Sequence, residues 1–175
     1  MIKPIPLAAL GPIYSTWHDA PAGALLAFGG RRMVGEGNNW HPWDDPIVAL
    51  RADDNGLGPC MVSILPEVHL IVQPPAQGQW RMFQSCVAYS IPAADIRGQY
   101  ELAIADLAPK QAPAEFDAGQ VIRTSDGALL AFAGITSHER FVVVSGEQQW
   151  RLVGRPHGDY HAFGKLVICE KRVAV

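Results

Sequence analysis

The sequence predicts an all-β fold, an antiparallel β-sandwich or jelly-roll-like barrel behind an extended N-terminal arm, with two related halves sharing a core as one form it can take. Three observations predict it. Glycine and proline number 17 and 14 of 175 residues, together above the roughly 12% usual in proteins, so turns are frequent. Short apolar runs return along the chain between turn signals, as at 24–28, 46–51 and 128–132, and runs of that length read as strands. The pairs and triplets that separate them, such as Asn55-Gly56 and Ser125-Asp126-Gly127, suit tight turns because Asn, Asp and Gly tolerate positive φ.

In chain order, Pro4, Pro6 and Pro12 interrupt an apolar N-terminal stretch. Proline removes ladder donors, so residues 1–14 are expected to be an extended arm and not a central strand. An apolar arm needs a groove, either on its own domain or on a neighbouring subunit. Residues 15–175 are expected to form a single β domain, since the length suits one good core. Strands are expected at 24–28, 46–51, 61–65, 68–73 and 79–91, the last with a bulge near Ser85-Cys86. The 93–107 segment fits helical and strand spacing alike, and Gly98 favours strand. Residues 108–118, with Pro109 and Pro113, read as a connection between sub-lobes 15–107 and 119–175. Further strands are expected at 120–123, 128–132, 141–144, 150–153 and 166–173.

Gly23-Ala-Leu-Leu-Ala-Phe-Gly-Gly30 returns as Gly127-Ala-Leu-Leu-Ala-Phe-Ala-Gly134, and Gln79-Trp80-Arg81 returns as Gln149-Trp150-Arg151. The order is kept and the spacing is not, which rules out a fixed-period solenoid. Coincidence and two related halves both remain open.

Composition excludes several function classes. Apolar residues are 49% and charged residues 18%, the latter below the roughly 25% of an average domain, so disorder is excluded and a sparsely charged surface suits contact with other proteins. A net charge of −3 gives no reason to bind nucleic acid, which requires clustered cations. Cys60, Cys86 and Cys169 are too far apart for a C-x-x-C site, and buried thiols are expected, with a Cys60–Cys86 bridge as the alternative. No signal peptide and no uncharged membrane-spanning run is recognisable, so the expectation is cytoplasmic synthesis, followed on the assembly reading by entry into a virion. No phosphate loop, dinucleotide fingerprint, nucleophile elbow or zinc helix is present. No cofactor is expected.

Two constellations carry chemistry. Trp40, His41, Trp43, Asp44 and Asp45 fall in a loop-like stretch stiffened by Pro42 and Pro46. Aromatic faces beside carboxylates can hold a sugar ring, by stacking on its C–H face and bonding its hydroxyls; the plainer reading has the indoles cap the end of the sandwich. His157, Asp159 and His161 alternate with Gly158 and Tyr160, so a strand would place all three on one face as metal ligands or as a base with its orienting acid. Pro156 and Gly158 equally suit an exposed turn. Arg81, Arg140 and Arg151 are read as paired or stacked inside the fold.

The function expected first is a non-enzymatic structural or assembly β-module, a homo-oligomer or a component of a bacteriophage or other multi-subunit particle. A carbohydrate-binding or other ligand-binding sandwich using the Trp40–Asp45 stretch is second, and an unrecognised, metal-dependent enzyme is third.

Overall fold

Leu25-Leu26-Ala27-Phe28 and Leu129-Leu130-Ala131-Phe132 are apolar at every position. Side chains of a strand alternate between two faces, so a strand with no polar face must be covered on both. The computed structural model describes residues 5–28, 32–36, 39–43, 47–55, 58–62, 72–73, 81–82, 92–111, 116, 119–133 and 140–172. Its strands are β1 (Ile5–Pro6), β2 (Ile13–Tyr14), β3 (Leu25–Phe28), β4 (Arg32–Glu36), β5 (Asn39–Trp43), β6 (Ile47–Asp54), β7 (Gly58–Val62), β8 (Val72–Gln73), β9 (Arg81–Met82), β10 (Ala93–Asp95), β11 (Tyr100–Gln111), β12 (Gln120–Thr124), β13 (Leu129–Phe132), β14 (Phe141–Val143), β15 (Arg151–Val153) and β16 (Tyr160–Glu170). Short 3-10 turns occupy Leu7–Ala9, Trp17–Asp19 and Ile96–Gly98, and the described residues contain no α-helix. The protein is all-β.

One large mixed sheet runs in the order β11-β16-β12-β13-β14-β15-β6-β3-β10-β2, with β7 also paired to β6. A separate three-stranded sheet holds β5, β4 and β9, and β1 pairs with β8. Within the large sheet, β10-β3-β6-β7 and β12-β13-β14-β15 are both antiparallel throughout.

The Leu-Leu-Ala-Phe echo is an echo in register as well as in sequence. Phe28 lies opposite Ile47 and Ala27 opposite Val48, just as Phe132 lies opposite Phe141 and Ala131 opposite Val142. Each phrase is entered from a glycine at positive φ, Gly23 at 87° and Gly127 at 86°. The spacing differs because residues 29–46, which include β4 and β5, separate β3 from β6, whereas only 133–140 separate β13 from β14. The second echo does not extend to pairing: β9 runs parallel to β4, while β15 is antiparallel to β14.

Two-sided cover follows from this register. Leu25 and Ala27 of the first phrase and Ala131 of the second enter one shared core with Leu50, Val121, Val142 and Leu166. Leu26 and Phe28 face away from it, under Trp17 and Met61. Leu130 does likewise with Ile122 and Phe141, beneath Phe116 and Tyr160. Phe116 makes an edge-on contact with Phe141 at 5.2 Å between ring centroids, a geometry that aromatic quadrupoles favour. The halves join where β15 runs parallel to β6, with Arg151 opposite Asp53.

Several expectations need correction. The arm is not simply extended, because Leu7–Ala9 is a 3-10 turn, and it lies on its own chain: Leu7 and Leu10 are buried in the shared core and Trp17 in an outer cluster. The N-terminal segment thus passes round the β2 end of the sheet. Residues 93–107 are not one strand, since a turn at Ile96–Gly98 divides β10 from β11. The connection expected at 108–118 is shorter, because β11 continues to Gln111 with a register shift between Asp106 and Lys110. Asn39–Trp43 is a strand antiparallel to β4 and not a loop. Arg151 is exposed, and among the described residues the buried arginine is Arg51. The expected bulge near Ser85-Cys86 lies outside the described residues.

Leu10 is only 1% exposed, so Leu10→Ala should destabilise the whole domain by about 2–5 kcal/mol, as cavity-forming core substitutions do. Urea unfolding measures this, and a change below about 0.5 kcal/mol, the range of ordinary surface substitutions, would show the arm to be dispensable.

Candidate functional site

The connection between β14 and β15 contains Gly146, Gln149 and Trp150. Among the described residues Trp150 is the one non-glycine at positive φ, 71°. An L residue in that region costs about 1–2 kcal/mol, and such strain persists where surrounding bonds over-determine it. Here they do. Trp150 N donates to Val143 O at 2.7 Å, and Trp150 O accepts from Asp53 N at 2.9 Å. Gln149 N donates to Gly146 O at 3.2 Å, and the Gln149 Nε2 donates to Val144 O at 3.1 Å.

The indole lies over Gly23. A Cβ at residue 23 would stand 2.4 Å from Trp150 Nε1, 2.7 Å from Cδ1 and 2.8 Å from Cε2, so the pyrrole ring meets the glycine Cα face-on. Only glycine fits there, for its size and for its φ of 87°.

Trp150 and Gly23 form one wall of a groove of about 360 Å³, within the size range of ligand-binding clefts. Leu25, Leu102, Ile104, Val144 and Leu166 supply apolar lining, Tyr100 a second aromatic ring, and Arg97, Glu101, Gln149 and Lys171 the polar and charged groups. Asp95 is buried and caps the Ile96–Gly98 turn by accepting from Arg97 N at 3.1 Å. Its carboxylate also accepts from Arg97 Nε at 3.0 Å and Nη2 at 2.7 Å. The hydrogen bond from Asp95 raises the pKa of Arg97, and this guanidinium is committed to a partner inside the protein.

The groove adjoins a sheet edge. Among the described residues β11 has β16 on one side and ends the strand order on the other. Proteins blunt such edges with bulges and proline, and β11 does so in its far half, through the shift between Asp106 and Lys110 and through Pro109. Residues 100–105 carry neither device.

The sequence-predicted residues are placed as follows. Trp40, His41 and Trp43 lie in β5, and Asp44 and Asp45 lie outside the described residues. His157 and Asp159 are exposed ahead of β16, where Gly158 takes a positive φ of 85°, and His161 is half-buried within β16. Among the described residues no three His, Cys, Asp or Glu side chains converge as a metal site. Sequence reasoning missed the Trp150 groove; its one signal was that Gly23 and Gln149-Trp150-Arg151 both belong to the echoes.

A second cluster lies around Trp17. The His18 ring lies against it, tilted by 36°, at 3.9 Å between centroids, and Trp17 Nε1 and Arg51 Nε are both buried with no hydrogen-bond partner among the described residues. The Arg51 Nη1 donates to Ala52 O at 2.8 Å and to Asp53 Oδ1 at 2.6 Å. Burial, then the Arg51 cation, hold the His18 pKa below its ordinary 6.5, against a smaller opposing effect of Asp19.

Comparison with known proteins finds no counterpart: no protein-family model matches the chain, and no curated protein and no solved structure matches it.

Two expectations follow. Gly23→Ala should destabilise the protein by more than about 1 kcal/mol, since it adds a clash with the indole to a positive-φ penalty; denaturant unfolding measures it, and a neutral effect would contradict the close approach. For His18 the unfolded state binds a proton at about pH 6.5 and the folded state only below that, so stability should fall as pH drops through this window and level off once the folded form is protonated. Melting curves from about pH 7 to about pH 5 on the parent and His18→Gln should diverge in that sense, and parallel curves would refute it.

Proposed function

We propose that this chain is a non-enzymatic structural or assembly β-module that joins a second copy of itself through the unprotected part of edge strand β11. The observation that carries the reading is that, among the described residues, β11 has no ladder partner beside 100–105 on the side away from β16, while its register shift and proline are confined to 106–110. An exposed edge offers unpaired N–H and C=O groups, and strand addition there extends the sheet through main-chain bonds. The large sheet is read as the two layers of a β-sandwich, since its inner residues meet in one core while outer clusters cover each half. Leu7 and Leu10 of the arm pack in the core of their own chain, which favours the edge over the arm as the clasp.

A second reading keeps the Trp40–Asp45 stretch as a ligand site, supported by the two indoles and the acidic pair close together in sequence.

Light scattering across a wide range of concentration, read with amide hydrogen exchange, tests the assembly proposal. The expected result is a mass above the 19.0 kDa of one chain, accompanied by slower exchange within residues 100–105. A monomer at every concentration contradicts it, as does association that leaves exchange at 100–105 unchanged.

A further inference from the structure

We infer that the groove walled by Trp150 is a binding site for a neutral saccharide. The inference concerns the inner face of β11 and stands apart from the edge association proposed above. Its first support is the platform. A sugar ring presents C–H groups on one face, and an indole or phenol ring offers the complementary π-surface; Trp150 and Tyr100 both line this groove. Trp150 is also pre-set, because its backbone is bonded on both sides and its pyrrole ring rests on Gly23. A ring fixed before the ligand arrives loses little conformational entropy on binding.

The second support is the polar complement. Hydroxyl groups both donate and accept, so a saccharide site needs donors and acceptors together. Lys171, exposed at the groove, supplies donors. Gln149 supplies an amide whose Nε2 already donates to Val144 O at 3.1 Å, which fixes the side chain and leaves its Oε1 as an acceptor.

Charge selects against the competing ligands. Arg97 is held by Asp95 through a contact of 2.7 Å, which leaves the Lys171 ammonium as the groove's one cation with no partner among the described residues. One exposed ammonium is a poor match for the several charges of a nucleotide, and a wholly apolar ligand would desolvate it without replacing its hydrogen bonds. A neutral, polyhydroxylated ring can bond it.

The test is an array of neutral oligosaccharides probed with the full chain, followed by calorimetric titration of the strongest binder and, in parallel, of ATP and inorganic phosphate. The expected result is binding of a neutral glycan, with none of comparable strength for the two anions. Trp150→Ala should abolish it. Gln149→Ala and Lys171→Gln, both at exposed positions, should each weaken it about tenfold, the loss of one good hydrogen bond. Should Trp150→Ala fail to fold by melting curve, those two variants decide the matter. Binding should persist when Trp40 and Trp43 are both replaced by alanine. No neutral binder on the array, stronger binding of ATP or phosphate, binding that survives Trp150→Ala in a folded protein, or binding lost only on replacing Trp40 and Trp43 would each overturn the inference. None of these outcomes depends on the mass of the chain in solution, so the edge proposal stands or falls separately.

Discussion

Two strands that are apolar on both faces share one core, and the rest of the molecule is arranged to cover them. Leu25 and Ala27 face Ala131, Val142 and Leu166 across that core, while Leu26, Phe28, Leu130 and Phe141 look outward and need their own cover. The N-terminal segment then has a physical reason for its course round the sheet end: it supplies Leu7 and Leu10 to the inner layer and Trp17 to an outer one.

Much of this was legible in local pattern. The hairpin that turns at Asn55, the strand-turn-strand over 120–132 and the entry glycines at 23 and 127 all follow from turn chemistry and apolar runs. The first echo pointed to related halves, and the matching register of β3–β6 and β13–β14 gives it a structural counterpart. What local pattern could not supply was long-range. The parallel contact of β15 with β6 joins residues 151 and 53, and nothing in either segment announces its partner. β11 overran the expected linker because Pro109, read as a breaker, falls within the register shift between Asp106 and Lys110, where the ladder with β16 is interrupted.

The candidate site illustrates the same limit. Trp40, His41 and Trp43 drew attention because aromatic and polar residues crowd together in sequence. The groove instead gathers residues from four separated stretches, Gly23 and Leu25, Arg97 to Ile104, Val144 to Trp150, and Leu166 to Lys171. Sequence crowding marks sites built on one loop, whereas a groove between curled strands is visible only after folding. Trp150 betrays itself in the structure by its φ of 71°, a feature of backbone context that residue identity does not encode. The conformation is imposed by long-range bonds to Val143 and Asp53.

The contact of Trp150 with Gly23 seats the second half of the chain on the first beside the β15–β6 join. A double-mutant cycle over Gly23→Ala and Trp150→Ala, read by denaturant unfolding, tests this most directly. Contacting residues couple by about 0.5–3 kcal/mol, so Gly23→Ala should be markedly less damaging once the indole has been removed, with only its positive-φ penalty left. Strict additivity of the two substitutions would contradict the contact, and with it the seating of the two halves and the groove that rests on it.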